Sequence, residues 1–290
     1  MWFLQWLLVF IVFNMFLAMA GGIMFNIHAK KLVKTFIKFN IGTNRNIPTF
    51  AIISDLHLEN ILVPWGKIID YIIDEKPEFI LLLGDLSSTL EAVPRAHDFV
   101  KELAQRTNLP IYMIFGNHDN ILFDEKKVGK GHISHERYKA SLESLSENIK
   151  IFHNEIIDLG EFMMAFLEDY RTCKVNIQEI TLEWARISAK QNKPLILLTH
   201  NPDSVTKICE NASEMKHVVV ICGHTHGGQI RTPFNIEYRF IRHDILPKEG
   251  YAYGMHNYKG INMYITSGIG CSGLPMRYKS TAEVVIAQIE

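Results

Sequence analysis

Five apolar, strand-like runs in this chain each stop at a short cluster of metal-ligand residue types, and that repetition constrains the fold more than any other feature. Residues 50–54 lead into Asp55-Leu56-His57, residues 80–83 into Gly84-Asp85, and residues 111–115 into Gly116-Asn117-His118-Asp119. Residues 195–199 lead into His200, and residues 218–222 into Gly223-His224-Thr225-His226. Continuous apolar runs of this length suit strands buried on both faces. Further strand-like runs cover residues 163–167, 263–266 and 284–289, and the run before Asp85 starts at residue 79. Helical periodicity fills several gaps, over residues 65–74, 94–105, 134–145 and 177–190. Strand alternating with helix predicts an α/β domain with central sheets covered by helices. Parallel strands ending side by side would bring the five clusters to one edge, where open α/β sheets bind ligands.

The residue types at that edge suit hydrolysis by a pair of metal ions. Such a site needs several protein ligands per ion, open positions for solvent and substrate, and one carboxylate bridging ions about 3.5–4 Å apart. A bound water then loses a proton near neutral pH and serves as the nucleophile. Asp55 and His57, two residues apart on a segment expected to be extended, would face one side. His224 and His226 share that spacing. Gly84, Gly116 and Gly223 would let the backbone turn sharply beside the ions. Taken singly the residues are less telling: an aspartate can cap a helix, and His200 before Asn201-Pro202 can mark a turn.

In this order, D-x-H, G-D, G-N-H-D, a lone H and G-H-x-H resemble the calcineurin-like metallophosphoesterases, over the chain from about Thr49 onward. The resemblance implies two facing β-sheets flanked by helices, a four-layer α-β-β-α sandwich. It implies that Asp55, His57, Asp85 and His226 hold one metal, and that Asp85, Asn117, His200 and His224 hold the other, with Asp85 shared. It gives His118 the role of proton donor or phosphate contact and Asp119 that of orienting His118. Imidazole, amide and carboxylate ligands without thiolate suit manganese, iron or zinc, and the family often uses manganese. The four cysteines are scattered and form no CxxC pair, which argues against a thiolate zinc site.

A second strong signal lies at the amino terminus. Residues 1–27 contain no Asp, Glu, Lys or Arg. A helix of about 20 apolar residues spans a bilayer core, so residues 1–28 are expected to be a transmembrane anchor. A cleaved secretory signal is the alternative, but no basic residue precedes the apolar run. Lys30, Lys31, Lys34 and Lys38 alternate with apolar residues, so residues 29–46 are expected to hold a basic amphipathic helix and a polar linker. The catalytic domain is then 47–290. The positive-inside rule places it on the cytoplasmic side of the inner membrane.

Gly-His-Thr-His-Gly-Gly-Gln and the late Gly-rich stretches resemble a membrane-anchored bacterial branch of the family. Its members include broad phosphodiesterases and enzymes that hydrolyse the pyrophosphate of UDP-diacylglucosamine in lipid A synthesis. The expected activity is therefore hydrolysis of a phosphodiester or pyrophosphate, with a lipid-linked substrate leading. A soluble phosphodiester, cyclic nucleotides included, stands as the alternative, and a non-catalytic scaffold on the same fold as a further one. The net charge of −1 supplies no basic surface for nucleic acid. The aromatic and arginine-rich segment from Arg231 through Phe234, Tyr238, Arg239, Phe240 and Arg242 could either cradle an anionic substrate or serve as packing.

Overall fold

Alternate residues of each buried strand face two different cores, and this stacks the molecule into layers. The computed structural model describes residue 22, residues 27–122 and residues 134–290, with 173, 216, 233 and 235 excepted. The strands are β1 (Leu32–Phe39), β2 (Phe50–Ile53), β3 (Phe79–Leu82), β4 (Ile111–Met113), β5 (Ile149–Ile151), β6 (Glu155–Asp158), β7 (Met163–Leu167), β8 (Leu195–Thr199), β9 (Val218–Cys222), β10 (Gly254–Tyr258), β11 (Ile261–Ile265) and β12 (Ala282–Ile289). They form two six-stranded mixed sheets, ordered β1-β12-β2-β3-β4-β5 and β10-β11-β9-β8-β7-β6. In the first, β2, β3, β4 and β5 are parallel and β12 is antiparallel to β2. In the second, β7, β8, β9 and β11 are parallel, with β6 and β10 antiparallel at the edges.

Between the sheets, Phe50 and Ile52 of β2 meet Phe166, Ile196 and Ile221 of the other sheet. Their neighbours Ala51 and Ile53 turn outward, against Ile68 and Phe99 from the helices Trp65–Glu75 and Val93–Thr107. Across the molecule Met163, Ala165 and Leu167 pack on Trp184 and Ala185 of the helix Ile177–Lys190. The order helix, sheet, sheet, helix follows from this alternation, as the resemblance implied.

The segment after the apolar amino terminus departs from expectation. Residues 32–39 are not an amphipathic helix but strand β1, paired with β12 over its full length from Leu32↔Ala282 to Phe39↔Ile289. Val33, Thr35 and Ile37 are β-branched and suit a pleated surface. Lys34 and Lys38 are engaged by carboxylates: Lys34 binds Asp74 and Glu75, and Lys38 binds Glu290. Lysines on an edge strand also discourage pairing with other chains. The first sheet thus takes in residues 32–39, ahead of the catalytic domain expected at 47–290, and residues 40–49 link β1 to β2. The expected anchor at 1–28 lies almost wholly outside the described residues. Among the described residues no helix is long and apolar enough to cross a membrane.

Candidate metal centre

The backbone keeps its sheet-like pairing just past the strand ends, and this aligns the five clusters. Asp55 N–H donates to Gly84 O and His57 N–H to Asp85 O, each at 3.0 Å, while Gly223 N–H donates to His200 O at 2.9 Å. Asp55, His57, Asp85, Asn117, His200, His224 and His226 are all buried, and they converge. Asp85 Oδ2 lies 3.2 Å from His200 Nε2 and 3.6 Å from His57 Nε2. Asp55 Oδ1 lies 3.5 Å from His226 Nε2 and 3.9 Å from His200 Nε2. One group of candidate ligand atoms comprises Asp55, His57 and His226, and another Asp85, His200 and His224. Asn117, which opens the short helix Asn117–Leu122, is the remaining predicted ligand.

Three of these side chains hold buried atoms with no hydrogen-bond partner: His57 Nε2, His200 Nε2 and Asn117 Oδ1. Buried polar atoms are rarely left alone, and all three are electron-pair donors or can become so. The opposite ring nitrogens are fixed. His200 Nδ1 donates to Leu83 O at 2.6 Å, and His57 Nδ1 meets Ser88 Oγ at 2.8 Å with Glu59 at 3.4 Å. Such outer contacts set the tautomer of a ligating histidine. His224 is held the other way round, its Nε2 on Asp244 at 3.1 Å, which frees its Nδ1.

Electrostatics agree with a site built for cations. Burial opposes protonation of His200 and His57, yet the surrounding carboxylates outweigh it and raise both. Burial likewise opposes charging Asp85, but His200 and His57 hold its carboxyl well below the usual range. His226 is pushed well down, by burial first and then by His57 and Arg277. A neutral imidazole is the form that binds a metal. These donors fit a dinuclear divalent-metal site, with ligand types that suit manganese, iron or zinc.

Two local expectations need correction. Asp55-x-His57 and His224-x-His226 are not extended: the four ligands have φ of 53°, 39°, 69° and 53°, and Asp85 has 53°. Each such non-glycine residue stores of order 1 kcal/mol or more, and such residues gather at functional sites. The side chains reach a common point through left-handed turns rather than strand pleating. Asp119, expected to orient the His118 ring, instead accepts backbone N–H groups from Asp85 at 2.6 Å, Gly116 at 3.0 Å and Leu86 at 3.2 Å. It ties the Gly84-Asp85 loop to the Gly116 loop. Burial, then the neighbouring Asp85, push its carboxyl up to about 7. His118 itself is partly buried, and its backbone N–H donates to Asp85 Oδ1 at 2.9 Å. His57, Asp85 and His118 also lie within mutual reach of one ion, so geometry admits His118 as ligand or as proton donor.

Glycine at 116 answers a shortage of space. A Cβ there would sit 2.2 Å from Asp85 Oδ1, and one at Gly223 would sit 2.2 Å from Ser54 Oγ. Gly116→Ala is expected to displace the Asp85 carboxylate. The measurable result is fewer bound metal equivalents and a stability loss of about 1–3 kcal/mol in thermal or denaturant unfolding.

Several supporting residues carried no sequence signal. Asp244 is buried and receives Arg171 Nη2 at 2.6 Å and Arg242 Nε at 2.8 Å besides His224. It follows no strand and belongs to no motif. Arg277 is fully buried, donating to Gly270 O and Ser267 O and facing His226 Nδ1 at 3.3 Å. Removing Asp244 (Asp244→Ala) would release the His224 ring, so metal affinity is expected to fall about 10–100-fold, read by calorimetric titration of the metal-stripped protein.

The cluster opens into a cavity of about 710 Å³, lined by Asp85, Asn117, His118 and His224 and by Arg171 and Arg242. That volume is ordinary for a small-molecule site. The aromatic segment divides its labour. Tyr238 is buried packing, Arg242 lines the cavity, and Phe234 and Phe240 point into solvent.

The fold and this centre are those of a metal-dependent phosphoester hydrolase. The chain belongs to the calcineurin-like phosphoesterase family, whose model matches residues 48–228. It is similar to the uncharacterized metallophosphoesterase YkoQ of Bacillus subtilis (strain 168), 26% identical over 82% of this chain and 82% of that one. It is similar to the phosphodiesterase YaeI of Escherichia coli (strain K12), 27% identical over 82% of this chain and 80% of that one. Among solved structures, TT1561 of Thermus thermophilus aligns over 77% of this chain and 90% of its own, at 12% identity and a TM-score of 0.48.

Proposed function

We propose that the chain hydrolyses a phosphodiester or pyrophosphate with two divalent ions, held by Asp55, His57, Asp85 and His226 on one side and by Asp85, Asn117, His200 and His224 on the other. The observation that carries this reading is the set of three unpartnered buried atoms around Asp85 and its neighbours: His57 Nε2, His200 Nε2 and Asn117 Oδ1. A divalent pair there supplies Lewis-acid stabilisation of phosphoryl charge and lowers the pKa of bound water. The chain's own groups do the rest. Asp119 and the backbone hold Asp85 in place, Arg242 and Arg171, each paired with Asp244, line the cavity that would take the ester, and His118 donates to the leaving oxygen. Manganese is the proposed ion for activity.

The proposed substrate is lipid-linked, UDP-diacylglucosamine being the leading candidate, with a lipid phosphate and UMP as products. What supports it is the uncharged apolar run at residues 1–27, which would anchor the enzyme by a single span in the inner membrane with its domain in the cytoplasm. A soluble phosphodiester is the second reading, favoured by the likeness to a named phosphodiesterase. The deciding experiment supplies detergent-solubilised full chain and manganese with UDP-diacylglucosamine, a cyclic nucleotide and bis(p-nitrophenyl) phosphate. Faster turnover of the lipid is expected. Turnover of soluble esters without release of UMP from the lipid would reject the lipid-linked substrate.

A further inference from the structure

The topology sets where the chain before β1 must arrive. β12 runs antiparallel to β2, so its first residues, Ala282 and Glu283, lie at the edge where β2 ends in Asp55; Glu283 N–H donates to Gly268 O there. β1 is parallel to β12, beginning at Leu32↔Ala282. The chain therefore enters the sheet at the same edge that carries the metal centre, not at the opposite end. His28 packs edge-on against Tyr278, with ring centres 5.8 Å apart. Tyr278 in turn bonds to Gln229 and Arg231, at the start of the loop that follows the His224-His226 cluster.

That loop is fixed at both ends to the ligand segment. Arg231 Nε donates to Gly227 O, and Arg242 donates to His224 O and Thr225 O. Gln229 also reaches Leu274 O in the adjoining loop. Between these ties the loop presents large apolar side chains to solvent: Phe234 is 82% exposed, Phe240 78% and Ile236 42%; Leu274, in the loop that Gln229 reaches, is 60% exposed. Lys30 and Lys31 just before β1, Lys279 just before β12 and Arg239 in the loop are exposed. Clustered exposed apolar groups rimmed by cations mark an interaction surface, and this pairing suits an anionic bilayer.

We infer that this rim, Phe234, Ile236, Phe240 and Leu274, rests in the membrane surface, so that the mouth of the metal cavity opens onto the headgroup layer. The inference rests on the reading of residues 1–27 as an anchor: a span ending at residue 27 delivers the domain to the bilayer by this edge. The anchor alone would tether the domain; the rim fixes its orientation and brings a membrane-borne phosphoester to the cavity.

Two measurements on the full chain test it. In vesicles of equal parts phosphatidylglycerol and brominated-chain phosphatidylcholine, Phe240→Trp adds one reporter and Glu78→Trp, at the opposite end of the sheet, adds a control, each read as the difference from the parent chain, whose Trp2, Trp6, Trp65 and Trp184 also emit. The tryptophan at 240 should be quenched several-fold more strongly than that at 78. Equal quenching overturns the inference. So does shielding of the tryptophan at 240 without vesicles, which would mean that the chain itself or a second copy covers the rim. In the second measurement, Phe234→Glu with Phe240→Glu should lower turnover of a vesicle-borne phosphodiester about tenfold, as losing the burial of one large side chain would. Turnover of bis(p-nitrophenyl) phosphate should not change; an equal effect on both substrates overturns the inference. A parent chain that cleaves neither ester would reject the phosphoesterase reading, while quenching still decides the orientation.

Discussion

Asp85→Asn is expected to empty both metal positions and to lower kcat/KM by about 10³-fold or more. One carboxylate oxygen of Asp85 faces both His57 Nε2 and His200 Nε2, so it is the group the two proposed ions share. The other oxygen accepts the His118 N–H. Asparagine keeps the size but removes the charge, and its amide N–H₂ would point at a cation. Losing a Lewis-acid contribution of several kcal/mol corresponds to about three decades in rate. His57→Ala and His200→Ala each touch a single position and should cost less. Metal analysis together with steady-state kinetics on the three variants checks the ordering. If either histidine variant loses more activity than Asp85→Asn, Asp85 is not the shared ligand.

His118→Ala should slow turnover by about 10²–10⁴-fold, the usual contribution of a positioned proton donor, with metal content nearly unchanged. The residue lines the cavity next to Asp85 and is only partly buried, unlike the seven proposed ligands. Burial lowers its pKa, the neighbouring histidines add to that, and Asp85 opposes it. The neutral ring still carries one N–H for the leaving oxygen. The deficit should shrink for an ester with a p-nitrophenyl leaving group, which needs less protonation. Loss of a metal equivalent would instead make His118 a ligand, the role its distance to His57 and Asp85 also permits.

The inner strands and the ligand clusters were legible because burial on both faces leaves an unbroken apolar run, as in β3 and β8. The helix Ile177–Lys190 was read at its observed bounds, since its apolar spacing is regular and Asn176 caps it. β5, β6 and β10 leave little trace in the sequence: they are short, and in β6 and β10 no more than one residue is buried. β1 has no clear signal, because lysines among apolar residues match a helical period as readily as an edge strand; only its partner β12, some 250 positions later, decides between them. The ligand motifs stand out by residue type and order past the strand ends, but the left-handed backbone of Asp55, His57, Asp85, His224 and His226 has no sequence signal. Asp244 and Arg277 were invisible as well, since each acts through a loop contact that no motif marks. Asp119 shows a related gap: the residue was found by its motif, while its partners proved to be backbone amides of two loops.

Anomalous diffraction from crystals of the full chain loaded with manganese bears most directly on the metal pair. Two peaks about 3.5–4 Å apart, with Asp85 between them, His57 beside one and His200 beside the other, are the predicted result. A single peak, or ions bound away from Asp85, would contradict a dinuclear centre at this site.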